Sequence, residues 1–335
     1  MTNSESLVNH FKAHHHRATA LAHPNIAFIK YWGNSHEALR LPANPSLSMN
    51  LAGLQTVTTV TFSDDFAADD LIINEQRLIG PRLERVTAVL DLIRMQAGLH
   101  MPARVESVNS FPAGAGIASS ASAFAALALA GAAAAGLDLD EADLSRLARR
   151  GSGSASRSVP AGFCQWLPGS DESSVATSIA PPEHWDLRDV IVIVSQVHKA
   201  VGSSGGHRLA STSSLQSARL AGAEARLAAC RKALLARDLA AMGPVVEEDA
   251  IMMHAVMMTS HPPLYYLEPA TMAIIHAVMQ WRDEGIPVYF TIDAGPNVHL
   301  MCEAAHGEDL RTRAGQLPGV QQIIVSGPGG PARLI

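Results

Sequence analysis

Residues 111–122 read FPAGAGIASSAS, a glycine-rich loop between a predicted strand and a long alanine-rich segment. Gly114 and Gly116 lack side chains, so a ligand can approach the loop backbone closely. The helix start that follows offers unpaired N–H groups and the positive end of the helix dipole, which together favour an anion such as phosphate. Three hydroxyls that could bond phosphate oxygens or Mg²⁺ follow: Ser119, Ser120 and Ser122. The loop matches neither GxxxxGK[ST] nor GxGxxG, and a serine-capped helix start is the alternative interpretation.

The segments around this loop predict an α+β fold rather than regular βαβ units. The QTVTTVTF run at Gln55–Phe62 has the two-residue period of a half-buried strand, and Pro81–Ala97 has helical spacing. Further helices are predicted at Glu141–Arg149, Leu215–Leu234, Leu239–Met258 and Ala270–Glu284. Further strands are predicted at Ala18–Ile29, Ser46–Leu54, Leu71–Asn74, Ala103–Ser110, Gly162–Leu167, Val175–Ile179, Asp189–Val194, Ile286–Ile292 and Val298–Cys302. The segment Lys30–Asn44 has loop-forming residues.

A shift in composition at Pro181–Asp186 divides the chain into two predicted domains, 18–185 and 186–335. Residues 1–17 form a predicted leader that lacks the features of a signal peptide. The run His14–His16 within it suggests metal binding, but adjacent residues cannot all face one ion, so a solvated leader is favoured.

Composition limits the classes of function. The 335 residues are 47% hydrophobic and 17% charged, which predicts a large core and excludes general disorder. A net charge of −6 argues against nucleic-acid or anionic-membrane binding, although a few local cations could still bind a small anion. No window offers roughly 18 unbroken apolar residues, so no membrane span is predicted. The widely spaced Cys164, Cys230 and Cys302 fit a reducing cytoplasm rather than a disulfide framework.

Four motifs point to a known family. The loop pattern Pro-x-Gly-x-Gly-x-Ala-Ser-Ser-Ala resembles the phosphate loop of the GHMP kinase superfamily, which contains small-molecule kinases and an ATP-dependent decarboxylase. Pro24–Gly33 (PNIAFIKYWG), Gly151–Ser158 (GSGSASRS) and Thr291–Asn297 (TIDAGPN) are similar to motifs of the mevalonate diphosphate decarboxylases, in the same order. The resemblance implies a two-domain GHMP fold with its active site in the cleft between the domains, ATP and Mg²⁺ as cofactors, and a phosphorylated mevalonate as substrate.

The resemblance also implies catalytic roles for three residues. Asp293 would orient or deprotonate the C3 hydroxyl, Lys30 would lie close to Asp293 and neutralise the transferred phosphoryl group, and Arg157 would hold the substrate carboxylate. In isolation, the favoured interpretation of Asp293 is a residue that caps its own turn, and that of Arg157 is a surface residue in a loop.

Binding roles are implied for a further set. Substrate-binding residues would be Tyr31, Ser152, Ser154, Arg157 and His198. ATP-binding residues would be Asn25, Gly114, Gly116, Ser119, Ser120 and Ser122, with Ser120 as the candidate Mg²⁺ ligand. Ser152 and Ser154 could instead form a plain Gly/Ser turn, and Trp32 is predicted to be a core residue.

The sequence departs from the family at its cations. Asn34 replaces the second lysine of KYWGK, and His198 and Ser204 fall where the family has a lysine and an arginine that hold the terminal diphosphate. Because each charge-assisted bond is worth about 1.5–3 kcal/mol, these losses favour a monophosphate, (R)-5-phosphomevalonate, as substrate. His207 and Arg208 could compensate.

Alternatives are a diphosphomevalonate decarboxylase, a 3-kinase that does not decarboxylate, and a silent nucleotide sensor. The family analogy also predicts a homodimer.

Overall fold

The computed structural model describes residues 16–111, 119–196 and 201–335. In the described chain the α-helices are α1 (Pro81–Ala97), α2 (Ser119–Ala134), α3 (Glu141–Gly151), α4 (Ser203–Leu209), α5 (Gln216–Ala221), α6 (Ala223–Ala236), α7 (Leu239–Met258), α8 (Pro269–Asp283) and α9 (Gly307–Gly315). Short 3₁₀ helices lie at Gly153–Ser158, Pro182–His184, Ala210–Thr212 and Ala304–His306.

The strands are β1 (Arg17–Ala22), β2 (Asn25–Ile29), β3 (Asn34–His36), β4 (Leu41–Pro42), β5 (Ser46–Asn50), β6 (Thr56–Phe62), β7 (Asp70–Ile73), β8 (Gln76–Leu78), β9 (Ala103–Asn109), β10 (Phe163–Trp166), β11 (Ala176–Ala180), β12 (Leu187–Ile193), β13 (Tyr289–Ile292), β14 (Val298–Glu303), β15 (Gln322–Ser326) and β16 (Arg333–Leu334). This mixture of helix and sheet confirms the predicted α+β class.

The first sheet has the order β16-β1-β6-β9-β7-β8 and is covered by α1, α2 and α3. The alternation predicted for β6 is present, but its buried face carries two threonines as well as Val60 and Phe62. Thr56 and Thr58 are satisfied by Ser122 and Ser107 hydroxyls, so the polar groups do not disrupt the core. Most of the buried residues of α2 are alanines, and their small side chains let the helix pack closely against β1 and β6.

Two four-stranded sheets build the rest of the molecule, with orders β11-β10-β5-β2 and β13-β14-β12-β15. Leu187, Ile191 and Ile193 of β12 join one core cluster, which includes α6 and α7 and residues of β2 and β5. Val190 and Val192 join a second cluster with α8 and α9. The strand β12 is thus buried on both faces, and its alternate residues contribute to the cores on the two sides of the third sheet.

The end of the chain returns to the first sheet. Arg333 and Leu334 pair antiparallel with Leu21 and Ala20 of β1. The preceding segment bonds to the chain at two neighbouring strands of the second sheet, β5 and β10: Gly329 N–H donates to Asn50 O (2.8 Å), and Gly329 O accepts from Gly162 N–H (2.9 Å).

Several predicted elements differ from the structure. The single strand predicted at Ala18–Ile29 is wrong: His23-Pro24 separates β1 from β2, since proline cannot donate to a ladder. The single helix predicted at Leu215–Leu234 is also wrong, because it is divided at Gly222. The predicted loop Lys30–Asn44 contains the β3–β4 hairpin. Five further elements were not predicted: β8, α4, α9, β15 and β16.

None of the described helices is both long and apolar enough to span a bilayer.

Candidate active site

A lysine and an aspartate from opposite ends of the sequence form an ion pair. Lys30 follows β2 directly and Asp293 follows β13; the Lys30 Nζ lies 2.6 Å from the Asp293 Oδ1. The lysine side chain is 2% exposed and the aspartate side chain 26%, so only the carboxylate is open to a ligand. The contact that the family resemblance implied is therefore present.

The pair keeps the carboxylate ionised. Burial alone would raise the pKa of Asp293, but the Lys30 ammonium, helped by His299 and Arg157, holds it below its ordinary value. Burial lowers the pKa of Lys30, and the neighbouring Asp293 opposes that shift. An ionised carboxylate can accept a hydrogen bond from a substrate hydroxyl, but it is a weak base. It can take the proton only as that hydroxyl becomes more acidic during the reaction.

The backbone of Lys30 is fixed by a buried ion cluster. Its N–H donates to Asp249 Oδ2 (2.6 Å), and its carbonyl accepts from Asn44 Nδ2 (2.8 Å) and Arg219 Nη2 (2.8 Å). Arg226 Nε completes the cluster by donating to Asp249 Oδ1 (2.8 Å). Both polar groups of the Lys30 peptide are thus held by α5, α6 and α7.

Arg157 lies in the 3₁₀ helix Gly153–Ser158 and is 2% exposed. Its guanidinium donates to Ser48 Oγ (3.0 Å), Ser46 Oγ (2.6 Å) and Asn25 Oδ1 (3.2 Å). Burial lowers its pKa to about 10, and Asp293 partly offsets the effect of burial, so the two charges face the same region. The alternative of a surface arginine is excluded by this burial.

Asn25 lies against the 3₁₀ helix that carries Arg157. Its amide donates to Ser154 O (3.1 Å) and Ser158 Oγ (2.8 Å), and its oxygen accepts from Arg157. The side chain is 2% exposed and engaged on both sides. In this structure Asn25 therefore supports Arg157, and its predicted contact with ATP stays a prediction.

A chain of hydroxyls joins the start of α2 to the Gly151–Ser158 motif. Ser120 Oγ lies 3.2 Å from Ser152 Oγ, which lies 3.4 Å from Ser154 Oγ. Ser119 and Ser120 are both partly exposed at the helix start. Gly114 and Gly116 lie outside the described residues.

Ser122 differs from its neighbours on α2. It is fully buried, and its hydroxyl is bonded to Thr56 Oγ1 (2.6 Å) and to the carbonyl of Ser119 (3.3 Å). The Ser122 side chain packs against β6 and is not exposed to the cleft, so the predicted contact with ATP is not available to it.

Tyr31 packs directly on the Gly151–Ser158 motif. A Cβ added at Gly153 would lie 2.6 Å from the Tyr31 Oη, which explains why glycine is needed there. The Tyr31 hydroxyl donates to Asn34 Oδ1, and burial raises its pKa. Trp32 is 2% exposed and belongs to a core cluster, as predicted.

His207 is a ring-stacking residue and not a replacement cation. Its ring stacks on Tyr31 with centroids 4.1 Å apart, and its Nδ1 accepts from the Gly33 N–H (3.0 Å). Burial and the surrounding arginines, Arg40 first among them, lower its pKa to about 3. It is therefore uncharged near neutral pH, whereas Arg208 is exposed on α4. His198 lies outside the described residues.

The donor atoms bear on how a metal would bind. Within the described chain no group of three or more His, Cys, Asp or Glu residues is arranged to hold an ion.

Several site residues gave little sequence signal. Asp249, Arg219 and Arg226 were not predicted, because each comes from a helix remote in sequence from the four motifs. Ser46 and Ser48 could have been found, since a Ser-x-Ser pattern places both hydroxyls on one face of a strand.

The fold and this site define a GHMP-type enzyme for small molecules. Residues 22–180 match the family model described as the diphosphomevalonate decarboxylase-like N-terminal domain, and residues 189–317 match that of the mevalonate 5-diphosphate decarboxylase C-terminal domain.

Individual relatives agree. The diphosphomevalonate decarboxylase of Candida albicans is 36% identical over 90% of both chains. The phosphomevalonate decarboxylase of Haloferax volcanii is 34% identical over 95% of this chain and 98% of that protein. The solved structure of mevalonate diphosphate decarboxylase from Staphylococcus aureus has 39% identity and a TM-score of 0.90, covering 95% of this chain and 98% of that chain. A solved structure described as MDDEF in complex with MVAPP, AMPPCP and magnesium matches equally, at 39% identity, a TM-score of 0.90 and the same coverage.

The chain belongs to the diphosphomevalonate decarboxylase family. It is an ATP-dependent decarboxylase of the mevalonate pathway that acts on a phosphorylated mevalonate.

Proposed function

We propose that the substrate is (R)-5-phosphomevalonate and the product isopentenyl phosphate. The observation that carries this proposal is the neutral character of two groups around the Tyr31 hydroxyl. Asn34 is uncharged and bonded to that hydroxyl, and His207 is uncharged and stacked on the ring. A monophosphate carries about −1.5 to −2 charges near neutral pH, so it needs fewer cations than a diphosphate.

The reaction starts at the C3 hydroxyl. Asp293 accepts a hydrogen bond from it, and takes the proton as the oxygen attacks the γ-phosphorus of ATP and ADP leaves. The positive charge of Lys30, 2.6 Å from Asp293, stabilises the negative charge on the transferred phosphoryl group. Mg²⁺ would supply further positive charge to the triphosphate.

The second half of the reaction forms the alkene. The C3–O bond breaks and inorganic phosphate leaves with the electron pair, so C3 becomes cationic. The C1–C2 bond then breaks, its electrons form the C2–C3 double bond, and CO₂ departs. Arg157, fixed by Ser46, Ser48 and Asn25, keeps the carboxylate oriented for this step.

The deciding experiment compares kcat/KM for the mono- and diphosphorylated mevalonates, with ATP, Mg²⁺ and full-length protein. We expect a higher value for the monophosphate, with one CO₂ released for each ADP. A higher value for the diphosphate would contradict the proposal and favour the second candidate, which the names of most relatives support. Formation of ADP without CO₂ would indicate a 3-kinase instead.

A further inference from the structure

The β3–β4 hairpin is docked on the end of α3, just before the Gly151–Ser158 motif. Leu39 O accepts from the buried Arg149 Nε (3.1 Å), and Arg40 Nε donates to Arg150 O (3.0 Å). Arg40 holds this place with a φ of 50°, a backbone conformation that an arginine rarely adopts. The two contacts fix the hairpin, and they place the guanidinium of Arg40 at the entrance to the motif.

Three side chains converge on four consecutive residues of this region. Arg40 bonds to the carbonyl of Arg150, Arg85 Nε bonds to the carbonyl of Gly151 (2.5 Å), and the Tyr31 ring packs against Gly153. These anchor points lie one to three residues apart along the chain. Arg40, Arg85 and Tyr31 therefore border one small volume.

The positive charge in this volume is poorly compensated. No ion pair in the described part of the chain includes Arg40, Arg85 or Arg157. The nearby carboxylate, Glu37, is exposed and accepts from Asn34 Nδ2 (3.0 Å). Burial, and after it the positive charge of Arg40, lower the pKa of Arg85 to about 10.

Arg40 also has donors to spare. Within the described residues its Nε is bonded to Arg150, while Nη1 and Nη2 have no hydrogen-bond partner. A guanidinium with one nitrogen anchored and two available can grip two phosphate oxygens at once.

We propose that Arg40 binds the phosphate on C5 of the substrate, beside the Tyr31 hydroxyl. This inference rests on the proposed function, because it assumes a phosphorylated mevalonate in the cleft. Its anchored position at the motif entrance makes Arg40 a residue that determines specificity for the phosphorylated end.

The test uses Arg40→Gln, which removes the charge and leaves a shorter, uncharged amide donor, and Arg40→Lys, which keeps the charge. Binding of (R)-5-phosphomevalonate and of unphosphorylated mevalonate is measured by calorimetry, and steady-state kinetics are measured with ATP. We expect Arg40→Gln to raise Kd and KM for phosphomevalonate by about 10- to 100-fold, as the loss of one charge-assisted bond predicts. Arg40→Lys should recover most of that loss. Affinity for mevalonate, KM for ATP and kcat should change less than about threefold.

Arg311→Gln, at an exposed arginine on α9, is the matched control and should behave like the wild type. A Kd for phosphomevalonate within twofold of wild type in Arg40→Gln would overturn the proposal. An equal loss of mevalonate affinity, or a raised KM for ATP, would overturn it too, since the effect would not depend on the substrate phosphate. Failure of the wild type itself to release CO₂ from either phosphorylated mevalonate would instead contradict the proposed function, while the calorimetric comparison would still judge Arg40.

Discussion

Asp293 is held ionised by Lys30, and this charge state governs how it can act at the C3 hydroxyl. Asp293→Asn keeps the shape but removes the proton acceptor. We expect kcat for ADP release with phosphomevalonate to fall by about 10²- to 10⁴-fold, the usual contribution of a positioned base.

Nucleotide affinity and the circular dichroism spectrum of Asp293→Asn should stay close to wild type, because Asp293 is partly exposed and lies outside the cores. Full turnover in this variant would show that another group accepts the proton.

His254 gives the protein a predictable weakness in acid. Burial, and then the charge of Lys30, lower its pKa to about 4, and its Nε2 lies 3.1 Å from the carbonyl oxygen of Asp293. In the unfolded chain His254 becomes protonated near pH 6.5, whereas in the folded chain it becomes protonated only near pH 4. Stability is therefore lost as pH falls through this window, by up to about 1.4 kcal/mol for each pH unit.

The check is urea unfolding at pH 7 and pH 5 for the wild type and His254→Gln. The variant should lose less stability between the two pH values, whatever its stability at pH 7. His276→Gln, at an exposed position on α8, provides the comparison and should lose as much as the wild type. An unchanged pH dependence in His254→Gln would assign the acid sensitivity to other groups.

At the scale of elements, the packing of α5, α6 and α7 on β2 depends on one buried carboxylate. Asp249 is 0% exposed and compensates Arg219 and Arg226 while binding the Lys30 N–H. Asp249→Asn leaves two buried arginines without their counter-charge. We expect the free energy of unfolding to fall by about 3–5 kcal/mol, as for other broken buried ion pairs.

Chemical denaturation measures this loss. Glu308→Gln breaks the exposed pair with Arg311 and should cost less than about 1 kcal/mol. Similar losses in the two variants would mean that the cluster adds nothing beyond a surface ion pair.

Two long helices, Pro81–Ala97 and Leu239–Met258, were predicted at their exact bounds. Each is a long segment next to a turn-forming or capping residue, Gly98 after the first and Asp238 before the second, which gives a clear signal. The β3–β4 hairpin and β16 are too short for any period, and their positions depend on tertiary partners: α3 for the hairpin and β1 for β16. For the same reason motifs located Lys30, Asp293 and Arg157, whereas Arg40 and Asp249 required the folded chain.

For the whole molecule, the last nine residues bind distant parts together. Gly327 O accepts from Ala52 N–H (2.8 Å), Gly329 bonds to both Asn50 and Gly162, and Ala332 N–H donates to Val159 O (3.0 Å). A truncation after Ser326 should lower the free energy of unfolding by about 0.5–1.5 kcal/mol for each lost bond. It should also reduce kcat, since Val159 and Gly162 directly follow the segment that carries Arg157.

Thermal unfolding and steady-state kinetics check this prediction. Truncation after Arg333 removes far fewer of these bonds and serves as the control. An unchanged melting temperature after the longer truncation would show that the tail is dispensable.

The return of β16 to β1 also constrains how the protein is made. During synthesis β1 emerges from the ribosome long before β16, so one side of β1 lacks its neighbour until Arg333 and Leu334 have also emerged. Until then an unpaired strand edge is exposed, which is where nascent chains associate wrongly. Completion of the first sheet therefore waits for β16, and chains that stop before Arg333 should be the forms most dependent on chaperones.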